Sequence, residues 1–93
     1  MDELNNQIYK IGLPGIIKKY MTNYYDLHGN ILPAEGLYQC VMKEIEKPLI
    51  EVTLSRLNGN QVKVAKLLGI NRNTLRRKIK ELNISIEKPP NEA

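Results

Sequence analysis

The sequence predicts an all-α fold in which four helices build one small subunit. Apolar residues recur every three to four positions in residues 14–27 and again in about 35–57, as in helices with one buried face. Two short amphipathic segments follow, about 61–68 and 72–82, with a glycine between them. At 93 residues the core is thin, and oligomerisation is a common way for so small a chain to bury more area.

The first helix is expected to begin near Pro14, a residue suited to a first helical turn. Residues 1–13 before it are polar and unpatterned, so we expect a flexible arm there. Glycines and prolines after residue 28 mark a loop. The apolar stripe of this helix consists of Ile16, Ile17, Tyr20, Met21, Tyr24 and Leu27.

The second helix is long and carries Pro48 in its middle. An interior proline removes one backbone hydrogen bond and clashes with the previous turn, so we expect a kinked helix. Its apolar band is wider than the ~100° stripe that one neighbour covers. The band is either a wide core-facing stripe of a monomer or a dimer interface, and the small core favours the dimer. The interface residues would be Leu37, Val41, Ile45, Leu49 and Val52.

Helix ends are marked by glycine and asparagine. Gly59 suits a left-handed end of the second helix, and Asn60 suits the N-cap of the third. Gly69 lies where a sharp turn is needed, and Asn71 can cap the fourth helix. The predicted divisions are a flexible arm (1–13), dimerisation helices (14–57), a helix–turn–helix unit (58–84) and a flexible tail (85–93).

Positive charge is concentrated in the helix–turn–helix unit. From Arg56 to Lys80 there are eight basic residues and no acidic one, whereas the other 68 residues carry six basic and ten acidic side chains. A basic segment with this pattern is typical of a nucleic-acid binder. The basic residues have no aromatic stacking platform near them, which argues against single strands as the partner.

The second helix of such a unit lies in the major groove of double-stranded DNA with its first side chains at base edges. Arginine can donate two hydrogen bonds to guanine, and asparagine can pair similarly with adenine. Later basic residues meet phosphates, and Asn60 can offer its side chain or backbone N–H to a phosphate. We predict base-reading roles for Arg72, Asn73, Thr74 and Arg76, and phosphate contacts for Arg77, Lys78 and Lys80.

Structural alternatives exist for several of these residues. Asn60 and Asn71 can act only as caps, with the backbone N–H of Thr74 receiving the second cap. Lys63 and Lys66 can be solvated residues on an exposed face. A two-helix corner in a protein-interaction module is the alternative for the whole unit.

Catalysis is not expected. His28 and Cys40 are each single, and no metal-ligand cluster, nucleophile–base set or phosphate loop is visible, so we predict no enzyme, metal or cofactor. His28 suits a helix end, and Cys40 a small apolar filler. One cysteine, no signal-peptide layout and no long apolar run predict a cytoplasmic protein that makes no membrane contact.

Residues 37–82 resemble the Fis-type DNA-binding domain. The resemblance rests on Pro48, on the run Gly59-Asn60-Gln61 and on LLGINRNTLRRKI from Leu67 to Ile79. Upstream, the first helix and YDLHGNILPAEGLYQ resemble NtrC-type regulators of the α-proteobacterial kind.

The resemblance implies an intertwined homodimer formed by the first two helices, which adds Tyr20 and Tyr24 to the interface. Two recognition helices would enter successive major grooves of a palindromic, bent site. Asn71 would join the phosphate contacts. Glu81 stands where Fis has lysine, so the flanking wrap of DNA is expected to be weaker.

Two interpretations share this biochemistry. The chain is either the C-terminal DNA-binding domain of an NtrC-type two-component response regulator or a stand-alone Fis-like, nucleoid-associated DNA-bending protein. In the first case sigma-54 RNA polymerase would be a partner through domains absent here. The upstream resemblance favours the first interpretation.

Overall fold

The computed structural model describes residues 2–86, with side chains from residue 12 onward. Over this range it contains no β-strand. None of the helices in these residues combines the length and apolarity needed to cross a bilayer. The predicted all-α class is therefore confirmed, and residues 87–93 of the predicted tail lie outside the described residues. The four helices are α1 (Asp2–His28), α2 (Leu37–Arg56), α3 (Gln61–Leu68) and α4 (Arg72–Glu81).

Helix α1 belongs to the first of two compact units, Met1–Leu32. The helical stretch begins at Asp2 and breaks at Gly12, whose φ of 62° and ψ of −175° are not helical. It resumes with Pro14 in its first turn, as predicted, and ends at His28, whose ring lies 4.6 Å from that of Tyr24. The flexibility predicted for residues 1–13 stays a prediction, although their backbone is helical from Asp2.

The second unit, Pro33–Ala93, holds α2, α3 and α4 around one apolar core. One side of α2 supplies Ile50 and Leu54, and the short helices close over them. Ile84, which follows α4, is 7% exposed and joins the core, a contribution that its position near the predicted tail did not reveal. The buried core residues are Ile50, Leu54, Val64, Ala65, Leu75, Ile79 and Ile84.

The turn between α2 and α3 uses two left-handed residues. Asn58 has φ 55° and Gly59 has φ 77°. The Gly59 N–H donates to the Leu54 carbonyl at 2.8 Å, and the Asn58 N–H donates to Ser55 at 3.3 Å, the bond pair of a Schellman ending. Asn60 then caps α3 by accepting a hydrogen bond from the Lys63 N–H at 3.1 Å, which confirms its predicted cap.

The face of α2 that points away from the core is apolar and open. Tyr38 is 73% exposed, Leu49 50% and Val52 59%. With about 100° of rotation per residue, these positions lie roughly opposite Ile50 and Leu54. Helix α2 continues through Pro48 without interruption, so the predicted kink and the intertwined dimer stay predictions.

Candidate nucleic-acid interface

The turn between α3 and α4 has the chemistry that the sequence predicted. Gly69 takes φ 73°, and the Ile70 N–H donates to the Ala65 carbonyl at 3.0 Å. Asn71 caps α4 through its side-chain oxygen. The cap bond is donated by the Asn73 N–H at 2.7 Å, and not by the Thr74 N–H as in the structural alternative. A left-handed glycine followed by a capped start redirects the chain within three residues and sets α4 against α3.

Helix α4 separates its buried and charged sides. Leu75 and Ile79 face the core. At about 100° per residue, most of the predicted DNA-contacting residues of α4 fall on one arc of the remaining surface. All five members of this arc are exposed. We call them the basic arc: Arg72, Asn73, Arg76, Arg77 and Lys80.

Lys78 lies outside the basic arc. Its ammonium is 2.5 Å from the Glu46 Oε2 of α2, and the two side chains are 26% and 25% exposed. The pair ties α4 to α2. Lys78 thus has a partner that the sequence did not predict, while its contact with phosphate stays a prediction.

The far edge of the basic arc is less positive. Arg77 Nε lies 3.7 Å from the Glu81 Oε1, one helical turn on, and both side chains are more than half exposed. An exposed pair of this kind contributes on the order of 0.3–0.5 kcal/mol, so Arg77 can exchange Glu81 for a phosphate. Thr74 is half-buried and lies past Arg77 on the surface of α4. It is therefore separated from Arg72, Asn73 and Arg76, the three other predicted base-reading residues.

Two residues that the sequence analysis did not select border the basic arc. Gln61, the first residue of α3, and Asn83, after α4, line an open groove together with Arg76 and Lys80. Asn83 is left-handed, with φ 54°. Gln61 directly follows the predicted cap Asn60, and this position was the one sequence signal for its place in the groove. No sequence signal pointed to Asn83.

The Cys40 thiol lies beside the carboxylate of Glu35. Cys40 donates a hydrogen bond from its Sγ to the Glu35 Oε1 at 3.3 Å, and burial, followed by this bond, raises the pKa of the thiol. The Lys43 ammonium donates to the Glu35 Oε2 at 2.6 Å and lowers the pKa of that carboxyl. A thiol with a raised pKa is a poor nucleophile. Within the described residues no group of acidic, histidine or cysteine side chains could hold a metal ion.

Comparison with known proteins connects this geometry to a family. Residues 41–82 match the model of bacterial regulatory proteins of the Fis family. DNA-binding protein Fis of Buchnera aphidicola subsp. Schizaphis graminum is 37% identical over 70 residues, covering 75% of this chain and 71% of that protein. The chain belongs to the Fis family. The matched region contains most of α2 and the whole helix–turn–helix unit up to residue 82.

Other relatives of this Fis-family chain are longer regulators. DNA-binding transcriptional regulator NtrC of Azospirillum brasilense is 45% identical over 75 residues, which are 81% of this chain and 16% of that protein. The NtrC of Rhizobium meliloti (strain 1021) is 49% identical over 70 residues, 75% of this chain and 14% of that protein. This chain therefore spans about a sixth of the length of the NtrC proteins that it matches.

Family membership settles the broad class of protein. Fis-family helix–turn–helix regulators are not enzymes, which confirms the prediction made from the isolated His28 and Cys40. The predicted resemblance to Fis-type and NtrC-type proteins is confirmed as well.

Proposed function

We propose that this chain binds double-stranded DNA in a sequence-specific manner as a homodimer and so regulates transcription. The basic arc carries the proposal. Five exposed polar or cationic side chains form one arc on α4 beside its buried face, with two of them on its first turn. A helix of this kind fits the major groove, where arginine and asparagine read base edges.

The structure supports a division of roles within the arc. Arg72, Asn73 and Arg76 lie in the first half of α4, so they can reach base edges. Arg77 and Lys80 lie further along and are suited to the phosphates on either side of the groove. Lys78 is better placed to orient α4 through Glu46 than to contact DNA.

The apolar face of α2 supports the homodimer. Leu37, Val41 and Ile45 are only half-buried, and Leu49 and Val52 are half-exposed or more. An isologous pairing would cover the same stripe on both copies and would place two recognition helices across a two-fold axis. A palindromic site would match that symmetry.

The longer context proposed for the chain is the C-terminal DNA-binding part of an NtrC-type response regulator. Identities of 45% and 49% to two proteins named as transcriptional regulators favour it. Sigma-54 RNA polymerase would then be engaged through other domains.

A stand-alone Fis-like protein that acts on the nucleoid is the second candidate. It is supported by the 71% of the Buchnera protein that this chain covers. An antibody against this chain would distinguish them in cell extract by detecting a protein of about 93 residues or a much larger one.

Salt dependence tests DNA binding itself. Duplexes selected from a random pool would be titrated with the protein by fluorescence anisotropy at several salt concentrations. We expect a palindromic consensus and a steep fall in affinity, with a log–log slope of about −0.9 for each phosphate neutralised. An affinity independent of salt, with no consensus, would contradict the proposal and favour a protein-interaction module.

Arg76→Ala is expected to reduce sequence discrimination more than general affinity. A bidentate arginine–guanine contact contributes on the order of 1–3 kcal/mol of discrimination, or roughly 5- to 150-fold. The measurement is the ratio of the dissociation constants for the selected duplex and for a scrambled duplex. If both constants rise equally, Arg76 contacts phosphate instead.

Lys80→Ala is expected to weaken binding to all duplexes alike, because a phosphate contact carries no sequence information. The absolute salt slope should fall by about 0.9, the loss of one neutralised phosphate. Lys63→Ala is the matched control: Lys63 is exposed on α3 and lies outside the basic arc. An unchanged slope in Lys80→Ala would remove Lys80 from the interface.

A further inference from the structure

Gln61 holds an unusual atom at the edge of the basic arc. Its side-chain Oε1 is buried and has no hydrogen-bond partner, the one such side-chain atom among the described residues. Buried polar atoms in folded proteins are almost always paired, so an unpaired acceptor requires an explanation. Donors from this same chain line the groove beside it.

The groove beside Gln61 supplies the candidate donors. The groove is lined by the apolar side chains of Ile79 and Ile84 and by the cationic residues Arg76 and Lys80. Arg76 is exposed, and no hydrogen bond or ion pair joins it to another described residue. Arg76, whose guanidinium is unpaired, and Gln61, whose carbonyl oxygen is buried and unpaired, therefore line the same groove.

We propose that Gln61 is a positioning residue: its Oε1 accepts a hydrogen bond from the Arg76 guanidinium when the protein sits on DNA, and so fixes the direction in which Arg76 meets a base. The proposal rests on the proposed DNA-binding function. Arg76 fits better than Lys80 because the guanidinium has five N–H donors in a rigid fork. It can donate one to Gln61 and still present two to a guanine.

The neutral amide suits this role. A carboxylate in the same place would add negative charge close to the DNA backbone, whereas the Gln61 oxygen accepts a hydrogen bond without it. Gln61 is also the first residue of α3, fixed beside the Asn60 cap. Because the backbone of Gln61 is already fixed there, only its side chain and that of Arg76 have to be ordered when the hydrogen bond forms.

A double-mutant cycle tests the coupling. Gln61→Met keeps the length of the side chain and removes the acceptor. We expect it to reduce discrimination between the selected duplex and one changed at a single half-site base by on the order of 3- to 10-fold, in the lower part of the range for coupled neighbours. In an Arg76→Ala background the same change should have no further effect. In the control background Lys80→Ala it should keep its full effect.

Three results would overturn the inference. The first is a loss of discrimination by Gln61→Met that is equally large in the Arg76→Ala background. The second is no loss of discrimination by Gln61→Met in the wild-type background. The third is a fall in the thermal unfolding midpoint of Gln61→Met that is large enough to explain the loss. Gln61→Glu is the second variant. It retains an acceptor oxygen and should preserve the discrimination ratio even though its charge weakens binding to every duplex. Failure of the wild-type protein to bind DNA would instead contradict the proposed function, so the two failures are distinguishable.

Discussion

Ile45→Asp is expected to convert a dimer into monomers and to lower the affinity for a palindromic site by about 100-fold or more, the typical loss when two linked contacts become independent. Ile45 lies in the middle of the apolar stripe on α2 and is only half-buried in the single chain. In an isologous interface one substitution appears twice, so the dimer would have to bury two charges that lack partners. Sedimentation equilibrium would measure the change in mass.

A second interface variant and a control accompany this experiment. Val52→Asp alters the same stripe and should also break the dimer. Because the Val52 side chain is 59% exposed, this change disturbs the subunit itself very little. Isoleucine, valine and aspartate have similar helix propensities, so Ile45→Asp and Val52→Asp should both keep their helical circular dichroism. Val62→Asp, on α3, changes a 54% exposed valine away from the stripe and should leave the dimer intact. A dimer that survives Ile45→Asp and Val52→Asp would place the interface elsewhere.

The helix–turn–helix unit was predictable because local signals agree there. Periodicity located α3 and α4 within one residue of their observed ends, and Asn60 and Gly69 occupy the predicted caps. Each cap depends on residues at most a few positions apart, which sequence patterns display directly. The exposure of Arg76 follows from the same periodicity, whereas Arg72, seven residues before Ile79, is exposed at the start of α4.

Contacts between distant residues were not predictable. The Lys78–Glu46 pair joins positions 32 apart, and it gives one of the predicted phosphate-contacting cations an acidic partner. The unpaired Gln61 oxygen and the groove beside Arg76 arise from the packing of α3 against α4 and the chain after α4. Ile84 becomes buried because a Schellman ending after Glu81 returns the chain to the core, with the Ile84 N–H donating to the Ile79 carbonyl at 3.0 Å.

The second large effect is on folding stability, because the apolar core is small. Leu75→Ala is expected to destabilise the folded unit by about 2–5 kcal/mol, because it removes a fully buried side chain and leaves a cavity. Leu75 is 0% exposed and lies on the first half of α4, directly behind the basic arc. Since small domains are stable by only about 5–15 kcal/mol, this one change would leave a substantial fraction of molecules unfolded on warming. Denaturant titration followed by circular dichroism would measure the free energy of unfolding.

Leu67→Ala is the matched control, because it makes the same chemical change at a leucine that is 69% exposed on α3. Its cost in free energy of unfolding should stay within about 0.5 kcal/mol, as for surface changes in general.

The comparison of Leu75→Ala with Leu67→Ala also bears on DNA binding. Leu75 belongs to the same buried cluster as Val64 and Ala65 of α3, so Leu75→Ala should weaken binding to selected and scrambled duplexes together as the unit unfolds. Equal destabilisation by the two substitutions would mean that the core does not position α4. Loss of DNA binding without loss of stability would mean that Leu75 itself belongs to the interface.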